Sequence, residues 1–205
     1  ECGKNSQNNR SVAIGYGAGQ TNQNEDSVSV GNQAGLVNQG YYSIAIGVQS
    51  GFSNQGNGCF ALGAFSGYIN QSEGALAIGT NAGGENQGSY SMAINSSSGQ
   101  FNQGVYCIAL GFASGQLNQK DNAISIGTFA GQNNQGYNSI AIGNSAGKTT
   151  QNDNTIILNA SGVELNTLTT SALYIDPIRN DDNPIFNTLT YDTVNKEVVW
   201  NSTKT

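Results

Sequence analysis

A search for reactive side chains begins with an absence, since the chain contains no histidine. That excludes a histidine general base, the Ser-His-Asp arrangement and every histidine-ligated zinc or iron site. Carboxylates are the next candidates, because paired acids serve glycoside hydrolysis and proton transfer. Asp176, Asp181 and Asp182 lie close enough in sequence to hold a cation, although a hydrated polar loop is the plainer reading. The string Gly15–Tyr16–Gly17 has the look of a phosphate loop, but no helical pattern follows it, as such a loop requires. Five tyrosines, Tyr41, Tyr42, Tyr90, Tyr106 and Tyr137, could stack on sugar rings or a protein receptor if exposed. The residue types present therefore suit recognition rather than reaction. The expectation is a protein that is not an enzyme and uses no metal or cofactor.

What positions these residues is an internal repeat. From Ser11 the chain divides into nine gapless units of sixteen residues ending at Asn154, with consensus S-I-A-I-G-x-x-A-G-x-x-N-Q-G-x-x. The second and fourth positions are apolar, and the first and third are Ser, Ala or Cys. That alternation predicts a short strand with one face on a core. Glycine at the fifth and ninth positions marks sharp corners, because glycine accepts positive φ without steric penalty. One strand and two corners per sixteen residues make the coil of a parallel β-solenoid. At about 4.8 Å per coil, nine coils form a rod of roughly 43 Å.

Stacking coils places like on like. Gln23, Gln39, Gln55, Gln71, Gln87, Gln103, Gln119, Gln135 and Gln151 fall at one position and predict an amide ladder along the rod. The large second and fourth positions are expected to face inward. The third position, Ala13, Ser29, Ala45, Ala61, Ala77, Ala93, Ala109, Ser125 and Ala141, is then an outward strip, small, flat and free of charge. Such a strip suits the close approach of another backbone and is the expected interface between chains. Most charges between Ser11 and Asn154 fall at positions fourteen to sixteen, which marks that segment as the exposed loop, and the five tyrosines share it. No two carboxylates in this block meet on neighbouring coils at one strand position, and no Asp recurs as calcium-binding repeats need. Cys59 and Cys107 lie three coils apart, about 14 Å, beyond the roughly 7 Å reach of a disulfide. With Cys2 on another corner, all three are expected as free thiols, as suits folding in a reducing compartment.

The S-[VI]-A-I-G-x-x-[AS] motif, repeated in register, resembles the head repeats of trimeric autotransporter adhesins. That resemblance implies a left-handed β-roll whose three chains associate side by side, with a longer loop here than in the usual unit of about fourteen residues. The last fifty residues break the period. Thr188–Trp200 predicts a β-hairpin, with strands on either side of Asp192–Lys196. Pro177 and Pro184 confine the segment before it to extended or turn conformations. Asp176–Pro177–Ile178–Arg179 and Lys196–Glu197–Val198 resemble the connector that precedes a self-cleaving trimerisation chaperone in fibre proteins of bacteriophages and giant DNA viruses.

Composition narrows the class further. Only 10% of residues are charged and the net charge is −6, so no basic patch exists to meet nucleic acid. No apolar run approaches the roughly 18 residues that span a bilayer, and no signal-peptide pattern opens the sequence. The expected molecule is all-β: a β-roll domain over residues 1–160, and an extended connector with a hairpin over residues 161–205. It is expected to be a homotrimer on a virion surface, or alternatively a bacterial cell surface, supporting attachment to a host glycan or protein receptor. An ice- or surface-binding solenoid, which would leave the Ser/Ala strip bare, and a pure spacer are the alternatives.

Overall fold

The computed structural model describes residues 1–178 and 188–201. Arg179, Asp181, Asp182 and Pro184 lie outside them. The described residues contain no helix and form a parallel β-solenoid of about eleven turns. Each full coil as far as Phe101–Gln103 contributes two three-residue strands to opposite sheets, as Val28–Val30 and Val37–Gln39 do. One sheet has eleven strands and runs from Val12–Ile14 to Leu173–Asp176. The other has seven, from Asn5–Gln7 to Phe101–Gln103, and continues as single bridges through Leu117 and Asn133. Register is one repeat throughout, so Ile44 pairs with Phe60 and Gln55 with Gln71.

The coil closes in so few residues because five of its sixteen take positive φ. In Ala75–Tyr90 these are Gly79, Asn81, Gly83, Asn86 and Tyr90. Two of the five are glycines with little room for a side chain, although Asn95 takes the fifth position of the next coil at φ 95°. A Cβ on Gly79 would lie 2.7 Å from the Asn95 carbonyl carbon of the next coil, and one on Gly83 only 2.5 Å from Gln87 Oε1. At the twelfth position asparagine tolerates the left-handed region better than most residues. This explains why Asn occupies the centre of the second strand, where only its two neighbours enter the ladder.

So tight a turn leaves a narrow interior, and the strand faces are the reverse of those expected from the alternation. The predicted interchain strip is the core. Ser29, Ala45, Ala61, Ala77, Ala93, Ala109, Ser125 and Ala141 are all 0% exposed within the single chain, and Ala13 is half-buried in the first coil. These residues cannot form an interface. First-position residues such as Ser27, Ala75 and Cys107 and eighth-position residues such as Ala34 and Ala82 join them, with the glutamines filling the remaining width. Isoleucine at the third position would collide with the opposite wall, so the bulky second and fourth positions turn outward. First-position hydroxyls are satisfied inside, as Ser43 Oγ donates to the Gly40 carbonyl at 2.5 Å.

The end of the roll is built differently. Ile157 replaces the small third-position residue and is fully buried against Ala130, Ala141 and Ala146, with Leu165 and Tyr174 packed on it. The coil widens by one residue to make room, so that Ile156 pairs with Leu173. Tyr174 Oη accepts the Leu168 and Thr169 backbone N–H groups at 3.0 and 3.1 Å, which closes the last turn. The sheet thus runs on to Asp176, past residue 160. Beyond it, Thr188–Asp192 and Glu197–Asn201 pair antiparallel, matching the predicted hairpin.

Candidate interaction surfaces

The outward face of the eleven-stranded sheet is an unusual surface. Each strand presents two apolar side chains, and none of these positions carries a charge. Ile14 is 59% exposed, Leu110 40% and Leu158 40%. Ten spacings of about 4.8 Å make this strip about 48 Å long. Single exposed hydrophobics are ordinary, but a continuous apolar stripe of this length is not. Sequence reasoning assigned these residues to the core. The signal that could have placed them outside is that four positions per coil (first, third, eighth and ninth) are all small, which leaves no room for isoleucine between the sheets.

Two amide systems run along the rod. On the exposed side, the twelfth-position asparagines form an unbroken chain from Asn22 to Asn134, each Nδ2 donating to the next Oδ1 at 2.9–3.2 Å. The predicted glutamine ladder is buried and different in kind. Each glutamine from Gln23 to Gln151 ties its own coil together, as Gln87 Nε2 does by donating to the Leu76 carbonyl at 2.9 Å. Bonds between successive glutamines occur at four steps, at 3.0–3.1 Å: Gln55–Gln71, Gln71–Gln87, Gln103–Gln119 and Gln119–Gln135. Where the chain breaks, Oε1 of Gln23, Gln55, Gln103 and Gln151 has no hydrogen-bond partner among the described residues.

The five tyrosines are exposed but do not make one continuous platform. Tyr41 and Tyr42 are tilted neighbours at 6.4 Å, Tyr90 and Tyr106 stack at 5.7 Å and 11°, and Tyr137 stands apart. The Tyr90 ring lies over Gly74, whose Cβ would sit 2.7 Å from it. A hydrogen bond to Glu73, together with its charge, raises the Tyr90 phenol above its ordinary pKa. Cys59 and Cys107 are buried free thiols, with Sγ 2.8 and 2.9 Å from the Ser72 and Lys120 carbonyls, and burial pushes both up to about 11. Among the described residues no three acidic or thiol side chains cluster as a metal site would need, and no helix is long and apolar enough to cross a membrane.

Comparison with protein-family models, with curated proteins and with solved structures returned no match.

Proposed function

We propose that this chain is a rigid segment of a homotrimeric surface fibre that supports attachment to a host, on a virion or, alternatively, a bacterial cell. The observation that carries the reading is the apolar face of the eleven-stranded sheet, which presents two outward aliphatic or aromatic side chains per coil over the whole rod. Three copies side by side around a common axis would cover all three faces with closed symmetry, and each coil would contribute equally. The threefold count comes from the resemblance of the repeat to trimeric adhesin heads. Attachment would fall to the surfaces left outside, including the exposed tyrosines.

Light scattering coupled to size exclusion tests the assembly. Three chains of 21.3 kDa make 63.9 kDa (3 × 21.3). A particle of 21.3 kDa whose apolar face binds a hydrophobic dye would overturn the trimer. Attachment is tested by applying labelled protein to host cells and a glycan array. The division of the five tyrosines into separate groups favours one second reading, a spacer that holds a terminal domain away from the surface. The ice-binding alternative placed its surface on the Ser/Ala strip, which lies inside the chain, and so loses its footing.

A further inference from the structure

One row of side chains on the roll is missing a member, and the gap has the shape and lining of a ligand site. At the tenth position of successive coils stand Phe52, Tyr68, Gly84, Gln100 and Gln116. Phe52 stacks on one face of Tyr68 with centroids 4.9 Å apart and planes 27° apart. The opposite face of Tyr68 fronts the coil of Gly84, where the row has no side chain and the buried glycine backbone forms the floor of the notch. Phe65 closes one flank of the tyrosine edge-on at 5.8 Å. On the far side of the gap, Gln116 Nε2 donates to Gln100 Oε1 at 2.9 Å, and Gln132 continues the same row. Gln100 Oε1 is therefore engaged away from Gly84, and its Nε2 has no acceptor among the described residues. Asn81, Glu85 and Phe101 complete the wall of a notch of about 220 Å³.

The glycine is not there for a left-handed turn. Unlike the ninth-position glycines, Gly84 does not take positive φ, and a Cβ would make a tight contact, 3.2 Å, with the Gln100 carbonyl oxygen of the next coil. Its effect is to leave out one layer of a stack whose layers are about 4.8 Å apart. What fits is a ring about one layer thick, apolar on a face and polar around its rim. The aromatic face of Tyr68 would take the apolar side, while the Gln100 amide, the Asn81 amide and the Glu85 carboxylate offer donors and an acceptor to the rim. A volume of this size is below that of sites for drug-sized ligands and suits a single ring.

We propose that the Tyr68–Gly84–Gln100 notch binds one pyranose ring of a glycan, with the sugar replacing the absent side chain. This gives the attachment reading a receptor class without depending on it, because binding is read on the chain whatever its mass. A single shallow site of this kind binds weakly, and repetition on associated chains would raise the avidity.

Isotope-labelled full-length chain, titrated with methyl glycosides of glucose, galactose, mannose and N-acetylglucosamine, tests the proposal by NMR. The expected result is saturable shifts of the Gly84 backbone and Gln100 side-chain amides with at least one sugar. Tyr68→Ala and Glu85→Ala should each weaken that binding about tenfold, the scale of one lost stacking contact or charge-assisted hydrogen bond. Gly84→Gln, which restores the row, should abolish it while leaving the amide signals of distant coils in place. Two outcomes would overturn the proposal: no shift at the notch with any of the four sugars, or binding that survives both Tyr68→Ala and Gly84→Gln. Shifts centred on Tyr90 and Tyr106 instead would overturn it in favour of the tyrosine row and leave the attachment reading standing.

Discussion

Adjacent residues of one strand should respond in opposite ways to the same substitution. Ala77 is completely buried among Ala61, Ala82 and Ala93, whereas Ile78 points outward and is half-buried. Ala77→Glu would force a methylene and a carboxylate into an interior already filled by the Gln87 side chain. Overpacking costs about 1–3 kcal/mol. A buried charge without a partner adds about 3–5 kcal/mol. The sum, roughly 4 kcal/mol or more, is a large fraction of the about 5–15 kcal/mol that stabilises a typical domain. With a guanidinium slope of about 4 kcal/mol per molar, the unfolding midpoint should fall by about 1 M or more. Ile78→Glu places the same group on the surface and should cost the coil about 1 kcal/mol or less. Its effect should appear in the particle mass, which should drop to that of one chain with the far-UV β signature retained. Circular dichroism in guanidinium and light scattering in the same buffer read both quantities. If Ala77→Glu keeps the wild-type midpoint and loses only assembly, while Ile78→Glu unfolds the chain, the assignment of the strand faces is wrong.

Three further perturbations have defined outcomes. Gly83→Ala meets Gln87 Oε1 and retains a positive φ of 53°, so it should destabilise the roll by about 1–2 kcal/mol in the same titration, whereas Gly84→Ala, with an ordinary φ, should cost clearly less. Asn70→Ala removes two ladder hydrogen bonds and the residue type that suits φ 57°, and should lower stability by about 1–2 kcal/mol; Asn70→Gly, which relieves only the backbone, should recover part of that loss. Native protein at pH 8 should yield one fast-reacting thiol out of three with a disulfide reagent, Cys2, because Cys59 and Cys107 are buried and titrate near 11. The linked pH effect has a fixed sign: below pH 9 the buried thiols are protonated in both states, and between 9 and about 11 only the unfolded chain releases their protons. Stability should therefore fall across that window, and the Cys59→Ser, Cys107→Ser double variant should fall less.

The period, the corners and the hairpin were legible in the sequence because each depends on local backbone chemistry. Glycine at the ninth position of every unit and at the fifth of all but one, where Asn95 stands, and the turn around Asp192–Lys196 specify conformations that few other residues allow. The side on which the core lies was not legible from Val12–Ala13–Ile14 alone. Alternation separates two faces, and the rule that large apolar residues go inside decides between them only when the interior is wide enough. Here Ala18, Gly19 and Gln23 of the same coil show that it is not, but their positions across the coil emerge only once the chain is folded. The asparagine ladder illustrates a second limit. Recurrence suggested an amide chain through the glutamines, yet the continuous one is the exposed asparagine row. The glutamines are drawn to carbonyls such as that of Leu76, which no repeat pattern announces. The notch at Gly84 is invisible in the consensus, since it consists of one departure from a row.

The cap at Ile157 and Tyr174 has a consequence for how such a rod can change over generations. Every coil before it meets its neighbours through the same register and the same small interior, so a duplicated or deleted sixteen-residue unit leaves every remaining junction intact. Only the final turn carries the bulky plug and the extra residue that stop the stack. Length is thus a heritable variable adjustable by in-frame recombination between repeats, at about 4.8 Å per event, while the end that joins the hairpin stays unchanged.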